Sequence, residues 1–367
     1  MGIILIIILI LLGGGVFMYL QQPQFGQVAT GDRLMRMQQS PNYKDGKFVN
    51  RYPTRMLPEG YSMAGEVYRT FIKHTPRKYP VDSIPSVKTD LTSIPLHQNI
   101  LIWFGHSSYY MQLDGKRILV DPVLSGAASP LPIGVKAFPG TDIYDVADFP
   151  TLDYLLITHD HFDHLDYKTV IALQPKVKQV VCGLGVGASL AYWGYQHDQL
   201  VEMDWDEELE IATNYKLYTV TAKHGSGRSI HPDNTLWLSF VISSPSMQIF
   251  VGGDSGYDVH FKEIGKSFGP FDLAILDNGQ YGEDGFATIH MSPKYTLRAA
   301  QDLQAKRLFP VHSSKFVLSR HAWDEPLLKI SALLAEDKSY LVLPKIGEAV
   351  DLNDRQRIFD AWWEGVN

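Results

Sequence analysis

The stretch Thr158-His159-Asp160-His161-Phe162-Asp163-His164 decides how this chain is read. It follows an apolar run over 152–158, expected to be a strand buried on both faces, and precedes a helical pattern over 166–173. A strand-to-helix loop can aim its side chains at one volume, and this one carries three histidines and two carboxylates within six residues. At this composition a His-x-His-x-Asp-His run arises by chance on the order of once in a thousand such chains, so the spacing points to chemistry. Imidazoles and carboxylates suit zinc, manganese or iron. Cys182 is the single cysteine, which excludes an internal disulfide and a thiolate zinc cluster. The ligand types therefore fit an open catalytic site better than a closed structural one.

One loop cannot surround a metal pair, so further ligands are expected at other strand ends. His224 follows an expected strand over 216–222, Asp254 follows one over 248–252, and His312 follows one over 307–311. With His159, His161, Asp163 and His164 they make seven ligand groups, about what two metals sharing one carboxylate require. Other strands are expected at 100–104, 108–113, 117–121, 177–182, 235–243, 273–276 and 340–343, and helices at 188–195, 293–303 and 325–336. Strands first, then alternation with helices, indicates a layered α/β domain. His106 either holds a ligand carboxylate from behind or steadies its own loop. Asp121, before Pro122, either orients a ligand histidine or forms a turn. Cys182 is expected in the core, and Trp362 and Trp363 on the body of the domain.

The whole chain has 367 residues, 45% of them apolar and 20% charged, which excludes a disordered or coiled-coil protein. Its net charge of −7 gives no global field for nucleic acid. Residues 1–20 are uncharged and almost wholly apolar, with three glycines at 13–15, and are expected to form an uncleaved transmembrane anchor. A cleaved signal peptide fits less well, because no Lys or Arg precedes the apolar run. Residues 21–98 read as a linker and an extended arm lying on the body, and 99–367 as the catalytic domain. Within the arm, Arg69, Lys73, Arg77 and Lys78 alternate with Tyr68, Phe71, Ile72 and Tyr79. That cluster is expected to be a solvated face, with contact to anionic headgroups the alternative.

The order of these motifs resembles the metallo-β-lactamase superfamily, and more narrowly the N-acylphosphatidylethanolamine-hydrolysing phospholipase D family and its bacterial relatives. The resemblance rests on Trp103-Phe104-Gly105-His106-Ser107-Ser108, Ile118-Leu119-Val120-Asp121-Pro122-Val123, the 158–166 loop, 223–228, 234–237, 252–257 and 264–274. It implies an αββα four-layer sandwich, here preceded by the N-terminal membrane segment. It also implies two divalent metals, zinc being expected. His159, His161 and His224 would take one, Asp163, His164 and His312 the other, and Asp254 would bridge them. The implied reaction is hydrolysis of a lipid phosphodiester by a hydroxide shared between the metals, giving phosphatidic acid and an N-acylethanolamine. Asp163 would orient that nucleophile, and His290 would donate to a phosphate oxygen or the leaving alkoxide. Phe162 stands where the family often has tyrosine, so a hydroxyl contact to substrate would be lost. The stretch 277–282, with Tyr281, departs from the family pattern and is expected to line the pocket. Two other readings use the same residues. One is a hydrolase of a soluble ester, lactone or cyclic phosphodiester, and the other an inactive membrane-tethered scaffold.

Overall fold

The structure is a computed structural model and describes residues 2–54, 62, 65, 74–131, 134–228, 230–282 and 288–367. Helix α1 (Gly2–Leu20), helix α2 (Gly31–Gln39) and a hairpin of β1 (Tyr43–Lys44) and β2 (Lys47–Phe48) precede two large sheets. The first sheet takes β3 (Ile100–Trp103), β4 (Tyr109–Leu113), β5 (Lys116–Val120), β6 (Leu152–Ile157), β7 (Val177–Gly183) and β8 (Leu200–Met203) in chain order, with β15 (Ala349–Asp351) on the outer edge of β3. The second sheet consists of β9 (Glu208–Ala212), β10 (Tyr215–Val220), β11 (Ser239–Ser243), β12 (Gln248–Val251), β13 (Leu273–Asp277) and β14 (Leu308–Val311), again laid side by side in chain order.

Side-chain alternation produces the layers. In β3, Leu101 and Trp103 enter the core between the sheets, whereas Ile100 and Ile102 enter a second core on the outer face. Helices α3 (Tyr167–Leu173) and α4 (Val186–Tyr192) cover that outer face through Val170, Leu173 and Leu190. Helices α5 (His260–Phe268), α6 (Pro293–Asp302) and α7 (Glu325–Leu333) cover the second sheet through Phe261, Ala299 and Leu327. The result is the α/β four-layer sandwich that the motif order implied. Strands β5 to β8 run parallel, as do β12 to β14, while the other pairings are antiparallel. Consequently β3 and β6 point the same way in one sheet, and β10, β12, β13 and β14 do so in the other.

The transmembrane segment expected over residues 1–20, and the membrane localisation drawn from it, must be corrected. Among the described residues no helix is long and apolar enough to cross a membrane. Helix α1 runs for 19 residues, but its last turn is tied to the body. The Tyr19 hydroxyl donates to Pro130 O at 2.6 Å, and its ring meets Phe25 edge-on at 5.3 Å. What remains beyond Tyr19 spans ~26 Å as a helix, short of the ~30 Å hydrocarbon core.

Smaller differences concern strands. Residues 340–343, expected as a strand, contribute one parallel bridge between Leu341 and Leu308, and Pro344 then removes the next donor. The ladder expected over 235–243 begins only at Ser239, because Leu236 N and Leu238 N donate instead to Leu184 O and Thr158 O. Residues 68, 69 and 71–73 of the basic cluster lie outside the described residues. Cys182, Trp362 and Trp363 are buried.

Candidate metal centre

The ends of β3, β5, β6, β10, β12, β13 and β14 converge on one volume. Strand β6 opens into the 158–166 loop, whose start is fixed by Asp121 at the end of β5. Asp121 accepts from Thr158 N at 2.8 Å and from Thr158 Oγ1 at 2.6 Å, and it meets His164 Nδ1 at 2.8 Å. With Nδ1 engaged, His164 turns Nε2 toward Asp254, 3.1 Å from its Oδ2. Asp121 therefore orients His164, a candidate ligand.

His224 follows β10, and its Nδ1 donates to Ile289 O at 3.0 Å, which leaves Nε2 free to face His161 Nδ1 at 3.3 Å. His159 Nε2 lies 2.9 Å from the same His161 atom. A tetrahedral zinc ion with bonds near 2.05 Å separates its nitrogen ligands by ~3.3 Å, so this trio is spaced for one ion. On the other side, His106, Asp163, His164 and His312 bring their ligand atoms within 4.8 Å of one another. His106 Nε2 donates to Asp163 Oδ2 at 2.9 Å, holding that carboxylate from behind. Ser107 Oγ contacts His312 Nδ1 at 2.9 Å. His106 and His312 both take left-handed backbone, φ 52° and 67°, and exchange a backbone hydrogen bond of 3.0 Å from His312 N to His106 O. The ends of β3 and β14 are locked together at that point.

Between the two groups stands Asp254, after β12. Its Oδ2 lies 3.1 Å from His164, 3.7 Å from His224, and 3.8 Å from both His159 and His290, and its Oδ1 lies 3.1 Å from His312. Burial alone would raise this carboxyl, but His164 and His312 outweigh it and hold it well below the usual carboxylate range. Burial pushes His159, His224 and His312 well below the ordinary imidazole value, so they present neutral lone pairs. His164 goes the other way. Burial opposes its charge, but Asp254, Asp163 and Asp121 outweigh it and raise the imidazole well above its ordinary value. Three carboxylates thus crowd one ring, an excess of negative charge that a divalent cation would balance. His164 Nε2, His312 Nε2 and Asp254 Oδ1 are buried without a hydrogen-bond partner, as metal-facing atoms should be. The donor set fits divalent metal.

The structure thus brings together His159, His161, Asp163, His164, His224, Asp254 and His312, with His290 on the rim. His290 is 20% exposed, and its Nδ1 meets Asp277 Oδ2 at 3.2 Å. Burial would depress His290, yet the bond to Asp277 and the charge of Asp254 raise it, while burial brings Asp277 up to about 7. Phe162 lies beside this volume, its ring under the Arg228 guanidinium at 4.2 Å and against Phe25 at 6.0 Å. Tyr281 is engaged elsewhere. Its hydroxyl donates to Glu325 Oε1 at 2.9 Å, its ring stacks on His321, and the residue is 2% exposed.

Sequence reasoning missed Arg228 and Asn50 as contributors, and read Asp277 only as part of the stretch expected to line the pocket, not as the partner of His290. Asp277 closes an apolar strand as an acid, a signal equal to that of Asp254. Arg228, 5% exposed, donates to Asp160 O and Leu165 O on the metal loop and to Gln24 O on the arm. Asn50 bonds His224, and nothing in its neighbourhood marks it.

A family model described as the beta-lactamase superfamily domain matches residues 116–313. An uncharacterized protein of Mycobacterium tuberculosis is 34% identical over 331 residues, covering 89% of this chain and 88% of that one. The N-acyl-phosphatidylethanolamine-hydrolyzing phospholipase D 1 of Caenorhabditis elegans is 28% identical over 276 residues, 69% of this chain and 76% of its own. Among solved structures, a metallo hydrolase from the archaeon Ignicoccus hospitalis matches with a TM-score of 0.52 at 21% identity, covering 69% of this chain and 97% of that one, a likeness of fold.

Proposed function

This chain belongs to the metallo-β-lactamase superfamily and is a hydrolase of that fold, and from that premise we propose that it cleaves a phosphodiester of the N-acylphosphatidylethanolamine type with two divalent metals. The observation that carries the two-metal reading is Asp254, one carboxylate within 4 Å of five imidazoles drawn from four segments. His159, His161, Asp163, His164, His224, Asp254 and His312 would hold the divalent pair, which would supply an acidified water and draw charge off phosphoryl oxygens. Asp163, held by His106, keeps its carboxylate aimed at the reacting volume. His290, partly exposed and backed by Asp277, keeps a proton on the substrate side and gives it to a phosphate oxygen or the leaving alkoxide.

A cleft of about 620 Å³ beside Phe162 supports an amphiphilic substrate. Tyr19, Leu131 and Tyr167 offer it apolar wall, and Lys136 and Lys168 line it as cations. An acyl chain and an anionic headgroup match those two kinds of lining.

The test is the zinc-loaded protein with N-acylphosphatidylethanolamine in mixed micelles. Phosphatidic acid and an N-acylethanolamine should appear, and chelator should abolish both. Intact lipid alongside turnover of a soluble ester or lactone would retain the centre and replace the substrate.

A further inference from the structure

His224 lies in a stretch without helix or strand, so its backbone is not held by a ladder. The residue is 2% exposed, and buried backbone groups in such a place must find partners elsewhere. Both come from one side chain. Asn50 Oδ1 accepts from His224 N at 3.1 Å, and Asn50 Nδ2 donates to His224 O at 2.7 Å. The carboxamide acts as a strand neighbour would, pairing donor with acceptor on a single residue. The imidazole is then aimed by Nδ1 against Ile289 O. Main chain and ring thus have separate partners, Asn50 setting where the residue stands and Ile289 how its ring is turned.

The arm that carries Asn50 is itself anchored at several points. Asn42 Nδ2 donates to Asp204 Oδ1 at 2.9 Å, Phe48 N to Asp233 O at 2.8 Å, and Arg51 pairs with Asp206 at 2.6 Å. These contacts hold the arm in place without touching the histidine cluster. Asn50 differs from them because, among the described residues, both of its side-chain bonds go to a residue of the cluster.

We propose that Asn50 is a positioning residue of the metal centre, and that the N-terminal arm is a working part of that centre through it. The inference rests on the reading of the cluster as a metal site. Asn50 reaches no substrate or metal itself. It sets where the Nε2 of His224 stands relative to His159 and His161, and so how well those three converge on one ion.

Zinc affinity of the metal-free full chain, measured by chelator competition, tests this. Asn50→Ala should weaken one zinc site by roughly 10–100-fold, the loss typical when a partner behind a metal ligand is removed. Asn50→Asp keeps the shape and the acceptor but loses the donor to His224 O, so it should weaken the same site and covers the case in which the alanine variant fails to fold. Asn42→Ala, which loosens the arm away from the cluster, should bind zinc as the parent does. The visible spectrum of the cobalt-loaded protein should change for the Asn50 variants and not for Asn42→Ala, a readout that general loosening of the arm would not separate. Parent-like zinc binding in Asn50→Asp, or an equal loss in Asn42→Ala, would overturn the assignment. A parent that binds no zinc would overturn the metal reading itself.

Discussion

Asp254 and His290 face each other at 3.8 Å, and the proposed function gives them different tasks that substitution should separate. Asp254→Ala removes the carboxylate shared by both histidine groups, so at least one metal should be lost. Lewis-acid stabilisation is worth several kcal/mol, and turnover should fall by ~10³-fold or more, which metal analysis paired with a phosphodiester assay reads directly. His290→Ala should leave metal content at the parental level while kcat drops roughly 10²–10⁴-fold, the usual span for a general acid. A His290→Ala protein that lost its metal would instead make this histidine a ligand. Asp277 belongs to the same chain of contacts. It accepts from Met291 N at 3.0 Å and from Thr296 Oγ1 through its carbonyl at 2.9 Å, so β13 and α6 both fix the base behind His290.

At the scale of elements, the metal loop is held from outside by Arg228. Its guanidinium lies between the rings of Phe162 and Trp193 at 4.2 and 5.2 Å, and its bonds run to the loop on one side and to the arm on the other. A lysine could not replace that planar, multiply donating group. Helix packing sets a second constraint. Gly265 lies on α5 where a Cβ would stand 2.0 Å from Asp302 O of α6, a backbone atom with no freedom to withdraw. Alanine is the better helix former by about 1 kcal/mol, but overpacking typically costs about 1–3 kcal/mol. Gly265→Ala should therefore destabilise the protein by up to ~2 kcal/mol in urea unfolding, against the direction that helix propensity alone gives.

For the molecule as a whole, buried histidines away from the metal centre should shape the pH dependence of stability. His260 is buried on α5, and burial pushes its imidazole down to about 3. The folded protein keeps it neutral while the unfolded chain binds a proton below about pH 6.5. Its contribution is complete above that value and shrinks as the pH falls toward 3, by about 1.4 kcal/mol per pH unit. His260→Phe should flatten the acid-side decline in unfolding free energy by that slope, measured between pH 6 and pH 4.5 in metal-free protein. Ligand histidines titrate in both proteins and cancel in the difference. An unchanged slope would mean that His260 takes up its proton without unfolding.

The run His159 to His164 was legible in the sequence because its geometry is local. A strand ending at Ile157 and a helix beginning at Tyr167 leave the loop few ways to point its side chains. Likewise His224, Asp254 and His312 could be read as candidates from the apolar strands before them, since the carboxyl ends of strands in such sheets gather at one crevice. The arrangement of partners behind the ligands is a different matter. Asn50 meets His224 across 174 positions of sequence, Arg228 meets Gln24 across 204, and neither residue type nor spacing announces such a contact. The first twenty residues show the limit from the other side. Their apolar composition reads as an anchor, whereas packing of Tyr19 on Pro130 and Phe25 ties the end of that helix to the body and shortens what is left. Sequence by itself determined which atoms can bind metal, because that is chemistry of side-chain type and short-range spacing. Tertiary structure alone decided what holds those atoms in place, because long-range contacts depend on which faces two sheets and an arm present to each other.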